Sequence, residues 1–208
     1  MKKPYVHSLT ALAIGLCFAT PSHAIEISKS SADLGSLEQP AAMLPGTTMT
    51  YIRNGEEITA TLEKVEEDSI HWNNSDGCKY STPKSEPLFV PSISWENCRG
   101  STGTQTLGKM KKSFWPLSAK TKVKFGVSGR SKGNTWKDYK RCKVNGTHTV
   151  TVAGGTFDAY MVECAGKWDK RYWYYSPELG HNVAGGRKHK TDGTRNFEWE
   201  HKSSKVVN

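Results

Sequence analysis

From Thr47 onward the chain repeats in twos, apolar residues alternating with polar ones, and no segment carries a helical period. Residues 48–53 (TMTYIR) and 56–65 (EEITATLEKV) alternate on either side of Asn54-Gly55. Such a pair of runs predicts a β-hairpin, because Asn and Gly both accept the positive φ that a tight hairpin turn needs. A second hairpin is predicted where residues 68–74 (DSIHWNN) meet 78–82 (CKYST) across Ser75-Asp76-Gly77. Residues 83–113 carry Pro83, Pro87 and Pro91 and a Gly/Ser/Thr-rich patch, so they read as irregular, and alternation resumes over 121–129.

The longest hairpin is predicted from Trp136 to Gly166. In its first strand Cys142, Val144, Gly146, His148, Val150 and Val152 share one face, because strand side chains repeat every two residues. Gly154-Gly155 supplies the turn, and Tyr160, Val162 and Cys164 share a face on the return. A two-residue turn there opposes even positions to odd ones. One bulge restores the match, and Gly146 is the natural place for it. If Asn145-Gly146 were instead a true turn, the outer strands of the resulting meander would lie roughly 9–10 Å apart, too far for a disulfide. The unbroken alternation through Asn145-Gly146 favours the long hairpin.

The ends differ from this pattern. Lys2 and Lys3, the apolar run 9–19 and Ser22-His23-Ala24 form a secretory signal peptide (1–24), with cleavage after Ala24. Leu16 before Cys17 departs from the small residue that lipoprotein processing wants, which argues against a lipid anchor. No later apolar run is long enough for a membrane-spanning helix. Residues 25–45 read as a polar linker, 46–201 as one antiparallel β domain with long loops, and 202–208 as a frayed tail. The destination is periplasmic or secreted. Four cysteines follow the leader, Cys78, Cys98, Cys142 and Cys164, an even number that predicts two disulfides in an oxidising compartment. Three pairings are possible. The long hairpin brings Cys142 to Cys164, and elimination leaves Cys78 with Cys98 around the Pro-rich loop.

Residues 152–160 (VAGGTFDAY) and 173–180 (WYYSPELG), with Phe114-Trp115-Pro116-Leu117 upstream, resemble a signature of uncharacterised exported proteins of Gram-negative bacteria. There a V-P-A-G-T-F-D-x-Y hairpin precedes W-Y-x-P-E-L-G, and the chain departs by having Gly154 where the family pattern often has Ala after Pro. The resemblance implies a β-rich, half-barrel or barrel-like envelope domain. It brings no established activity and no catalytic residues.

The residues themselves bring none either. There is no nucleophile elbow, zinc-protease motif or phosphate-binding loop, and no cofactor or metal site is predicted. A metal site from His71, His148 and His181 would need the fold to gather them without any ligand spacing in its favour. Glu198 and Glu200 share one face of a strand with Phe197 and Trp199 on the other, which is ordinary half-buried alternation. They are the carboxylates an alternative reading as an envelope glycan hydrolase would use.

Charge is the stronger lead. The formal charge is +9, or +7 without the two leader lysines, and cations concentrate in 109–143 and 187–195. Such clusters attract polyanions: anionic envelope components ahead of nucleic acid, for which no recognition signature is present, or another envelope protein. The run Arg171-Tyr172-Trp173-Tyr174-Tyr175 is the candidate ligand surface. In a strand, Tyr172 and Tyr174 oppose Trp173 and Tyr175. One pair is expected in the core against the long hairpin, and the other serves a ligand only where a cleft opens over it. The chain thus reads as a non-enzymatic envelope protein that binds through a β surface.

Overall fold

A computed structural model describes residues 25–207, so the predicted leader lies outside the described residues. The strands are β1 (Glu26–Lys29), β2 (Thr48–Arg53), β3 (Glu56–Val65), β4 (Ser69–Asn74), β5 (Lys79–Pro83), β6 (Ser94–Cys98) and β7 (Ser101–Leu107). They continue with β8 (Lys122–Ser131), β9 (Asn134–Val152), β10 (Gly155–Ala165), β11 (Asp169–Ser176), β12 (His181–His189) and β13 (Arg195–Lys205). Twelve of them, β2 to β13, close an antiparallel barrel: β13 pairs with β2, and β8 pairs back onto β9. Among the described residues, closure leaves only the four-residue β1 as an open edge. The two hairpins around Asn54-Gly55 and 75–77 form as expected. The stretch 83–113 is less irregular than its prolines suggest, since it holds β6 and β7.

Strand β9 is 19 residues long and serves three neighbours. Its first half pairs with β8, its second half with β1, and most of its length with β10. Tyr160 pairs with Thr147 but Val162 pairs with Val144, so Asn145 and Gly146 together face Met161. This is the predicted bulge, and Gly146 takes the positive φ of 96° that a residue with a Cβ would resist. The turn falls one residue earlier than predicted. Val152 pairs with Gly155, so Ala153-Gly154 are its central residues. The bulge also divides the even-numbered run that alternation alone put on one face. Cys142 and Val144 join one apolar cluster, Val150 and Val152 another on the opposite side of the sheet.

The first cluster gathers Val123 and Phe125 of β8, Val162 of β10 and Tyr175 of β11, and is covered by Phe89 and Phe114 from two loops. The Phe89 ring lies 5.1 Å from that of Phe114 and 5.8 Å from that of Tyr175. Buried Glu86 ties the loops together, accepting from the Ser113 hydroxyl at 2.5 Å and the Phe114 amide at 3.1 Å. The second cluster, with Val150, Phe157, Tyr174 and Val183, is enclosed because the β9–β10 tip curls over to β13. There the Gly154 amide donates to the His201 carbonyl at 3.0 Å, and the Ala153 amide donates to buried Glu200 at 2.8 Å. A Cβ on Gly154 would stand 2.6 Å from the Lys202 carbonyl oxygen, so only glycine permits this approach. A third cluster of Ala60, Leu62, Ile70 and Trp72 fills the β3–β4 side.

Both ends are more ordered than their composition suggests. The predicted linker contributes β1 on β9, a Leu37–Leu117 bridge, and a Gly35 carbonyl that accepts from the Tyr160 hydroxyl at 2.6 Å. The predicted tail continues β13, with Lys205 opposite Thr48, and the Val207 amide donates to Thr47 Oγ1 at 3.0 Å. In both places backbone pairing with a neighbour overrides weak local propensity. Both disulfides form as paired above, Cys78–Cys98 and Cys142–Cys164.

Beyond the Cys142–Cys164 bridge the first cluster ends in charges. Lys140 Nζ lies 2.8 Å from Asp138 and 2.7 Å from Asp169, whose other oxygen accepts from Arg187 Nε at 2.5 Å. Arg171 Nε stands 3.8 Å from Asp169. Burial pushes the Asp169 carboxyl up, but Lys140, Arg171 and Arg187 outweigh it and hold it below the ordinary aspartate value. Asp169→Asn leaves Lys140 buried with half its compensation, so it is expected to cost roughly 3 kcal/mol in urea unfolding. A change under ~0.5 kcal/mol would mean that the network is not structural.

Two buried histidines, His181 and His201, lie with ring centroids 4.8 Å apart and planes tilted by 60°, against the docked hairpin tip. Burial, with His181 beside it, pushes His201 down to about 4, and burial lowers His181 too. With an unfolded value of about 6.5, these groups bind protons preferentially in the unfolded chain, so their contribution is complete above that pH. It drains as pH falls toward about 4. The urea midpoint is therefore expected to fall between pH ~6.5 and ~4, and His201→Gln to flatten that slope; an unchanged slope in the variant would contradict this assignment.

Candidate functional site

The aromatic run divides as strand geometry requires. Trp173 and Tyr175 pack with the first cluster, and Arg171, on the same face, enters the Asp169 network. These three members of the predicted ligand surface are thus taken by the interior. Tyr172 and Tyr174 point the other way, where a cleft of about 560 Å³ opens over them. Of the five candidate residues Arg171, Tyr172, Trp173, Tyr174 and Tyr175, only Tyr172 and Tyr174 line the cleft. A strand packed on both faces reads as unbroken aromatic sequence, which is why four consecutive rings look like a surface.

The cleft is built across four strands, with Ile25 and Ile27 of the N-terminal segment also in its lining. In register, Glu163 of β10 stands opposite Tyr172 of β11, and Tyr172 opposite Gly186 of β12. A Cβ on Gly186 would meet the Tyr172 hydroxyl at 2.6 Å and Glu198 Cγ at 3.0 Å, so the missing side chain lets Tyr172 reach across to β13. Its hydroxyl donates to Glu198 Oε1 at 2.5 Å. One row along, Met161, Tyr174 and Ala184 line up as an apolar floor, and Ile25 and Ile27 from the N-terminal segment add to the apolar lining. At the other end Lys170, Lys188 and Lys190 enter the lining. Lys170 pairs with Glu163 at 3.5 Å, and Lys190 Nζ donates to the Gly166 carbonyl. Lys188 has no carboxylate within ion-pair distance among the described residues. The cleft is thus amphipathic along its length, apolar around Ile27, Met161 and Ala184 and cationic toward the β12–β13 turn.

The other candidates separate. Glu198 faces the cleft, whereas Glu200 is buried and occupied by the Ala153 amide. His71 bonds to Ser69 and Glu66, His148 lies against the Tyr174 ring, and His181 packs at a tilt against His201. No group of three metal-ligating side chains occurs among the described residues. Sequence reasoning missed Ile25, Ile27, Met161 and Glu163 as lining residues. Met161 and Glu163 were accessible in principle, since they share a face opposite Cys164, but β1 gave no signal within a polar segment.

No family model matches the chain, and no curated protein matches it by sequence. Among solved structures, it is similar to the hypothetical lipoprotein YmcC of Escherichia coli, at 12% identity and a TM-score of 0.47, over 78% of this chain and 89% of that one.

Proposed function

We propose that the protein is an exported, non-enzymatic envelope protein that binds an anionic amphiphile in the cleft over Tyr172 and Tyr174. The observation that carries this reading is the division of the lining, with Ile27, Met161 and Ala184 at one end and Lys170, Lys188 and Lys190 at the other. An apolar wall removes hydrocarbon from water, and converging cations select the charge of the head group. The leader and the two disulfides support an oxidising envelope compartment, the periplasm or beyond. The alternative, a glycan hydrolase using Glu198 and Glu200, loses support because the Ala153 amide engages Glu200.

Calorimetric titration of the leaderless chain with dihexanoyl phosphatidylglycerol, against dihexanoyl phosphatidylcholine as the neutral control, tests this. Ile27→Asp and Lys188→Glu are each expected to weaken binding of the anionic amphiphile about tenfold, which corresponds to about 1.4 kcal/mol. Equal affinity for the neutral lipid, or no effect of either substitution, would contradict the reading.

A further inference from the structure

The outward face of β8 to β12 carries cations in an arrangement that folding alone disfavours. Lys122 stands directly opposite Lys143, and Lys124 directly opposite Arg141. The row through Arg141 continues across Ala165 to Lys170 and then Lys188, all in register. Side chains directly opposite one another in antiparallel strands share a face, and like charges placed so repel. Lys122, Lys124, Arg141 and Lys143 are exposed, and no carboxylate lies within ion-pair distance of them among the described residues. The two acidic groups nearby are engaged, Glu163 by Lys170 and Glu198 by Tyr172.

Two of the most exposed aromatics in the molecule stand at the rim of this field. Tyr139 is 50% exposed and Trp168 42%. Each carries a cation over its ring, Arg141 at 5.6 Å from the Tyr139 centroid and Lys167 at 5.0 Å from that of Trp168. One carboxylate oxygen, Asp138 Oδ1, accepts from both the Tyr139 and the Lys167 amides, at 2.7 and 2.8 Å. This fixes the two aromatics into a single patch. The cations lie on four of these five adjacent strands, a span of about 19 Å at ladder spacing; Lys170 and Lys188 also line the cleft, while Lys122, Lys124, Arg141 and Lys143 stand outside it.

We propose that this face docks on an anionic lipid bilayer, with Lys122, Lys124, Arg141 and Lys143 against the head groups and Trp168 and Tyr139 seated at the interface. Cations near such a surface each gain attraction, and amphipathic Trp and Tyr rings settle at the head-group level. An extended polyanion would need a channel to follow; the breadth of the field and its exposed rings fit a surface. Docking stands independently of the cleft reading. If both hold, the cleft, which opens on this same face, is set against the bilayer that holds its ligand.

The test is co-sedimentation of the disulfide-bonded, leaderless chain with vesicles of phosphatidylcholine alone or mixed with phosphatidylglycerol. Binding is expected only to the mixed vesicles, with steep weakening as salt rises. The pair Lys124→Gln and Arg141→Gln, both outside the cleft, should lower partitioning about 25-fold at about fivefold per cation. The pair should leave the urea midpoint and the titration with dihexanoyl phosphatidylglycerol unchanged, so failure here is distinguishable from failure of the cleft reading. Brominated phosphatidylcholine in the mixed vesicles should quench part of the tryptophan fluorescence, and Trp168→Ser should abolish that quenching. Binding to neutral vesicles alone, full binding by the double variant, or quenching unaffected by Trp168→Ser would overturn the proposal. So would tighter binding to soluble linear polyphosphate than to the vesicles, which would make the field a polymer site.

Discussion

The structure turns on two residues that share one partner, Asn145 and Gly146 facing Met161. Side chains on a strand alternate strictly, so a 19-residue strand without a defect can serve only one core per face parity. The bulge inverts that parity midway. Below it, Cys142 and Val144 enter the loop-covered cluster with Phe89 and Phe114; above it, Val150 and Val152 enter the cluster enclosed by the curled tip. With Gly146 in the chain, the Cys142–Cys164 bridge, the aromatic core and the docking of Gly154 on β13 all require that one residue be bulged out of the pairing here. Bulges also bend a strand and sharpen its local twist, and the β9–β10 tip bonds to the His201 carbonyl.

Much of this was legible in the chain. Alternation placed the hairpins, the need to restore even parity placed the bulge at Gly146, and the bulge gave the disulfide pairing. What escaped had non-local causes. The turn shifts by one residue because Gly154, not Ala153 or Thr156, must lie flat against the Lys202 carbonyl. Residues 26–29 become a strand only because the upper half of β9 offers an edge beyond the end of β8. The sequence carries no trace of that vacancy. The aromatic run was half legible: period two separates Tyr172 and Tyr174 from their neighbours, but whether a cleft lies over them depends on β1.

The basic character of the chain also resolves into unlike populations. Lys140 and Arg187 neutralise Asp138 and Asp169 at the end of the core, while Lys122, Lys124, Arg141 and Lys143 project outward. Net charge cannot distinguish them, because the distinction lies in strand parity: Val123, Cys142, Cys164 and Arg171 form the inward row that alternates with the outward one. The same alternation that builds the core therefore arranges the surface. The residues of the β9–β10 turn and the return strand are accounted for structurally as well. Gly154 docks the tip, Asp158 accepts from Ser30 and Thr149, and Tyr160 holds the N-terminal segment.

The most direct measurement is of stability and cysteine pairing when Gly146 is replaced by valine. Valine keeps the residue count but resists the positive φ of 96° at which the extra residue is bulged out. Continued without a bulge, the register that sets Val152 against Gly155 would put Cys142 opposite Ala165 and on the other face from Cys164. Urea unfolding and non-reducing peptide mapping of Gly146→Val are predicted to find Cys78–Cys98 intact, a lowered midpoint and a reduced yield of the Cys142–Cys164 peptide. An unchanged midpoint with full recovery of that peptide would contradict the account, since the two cores would then not depend on the bulge.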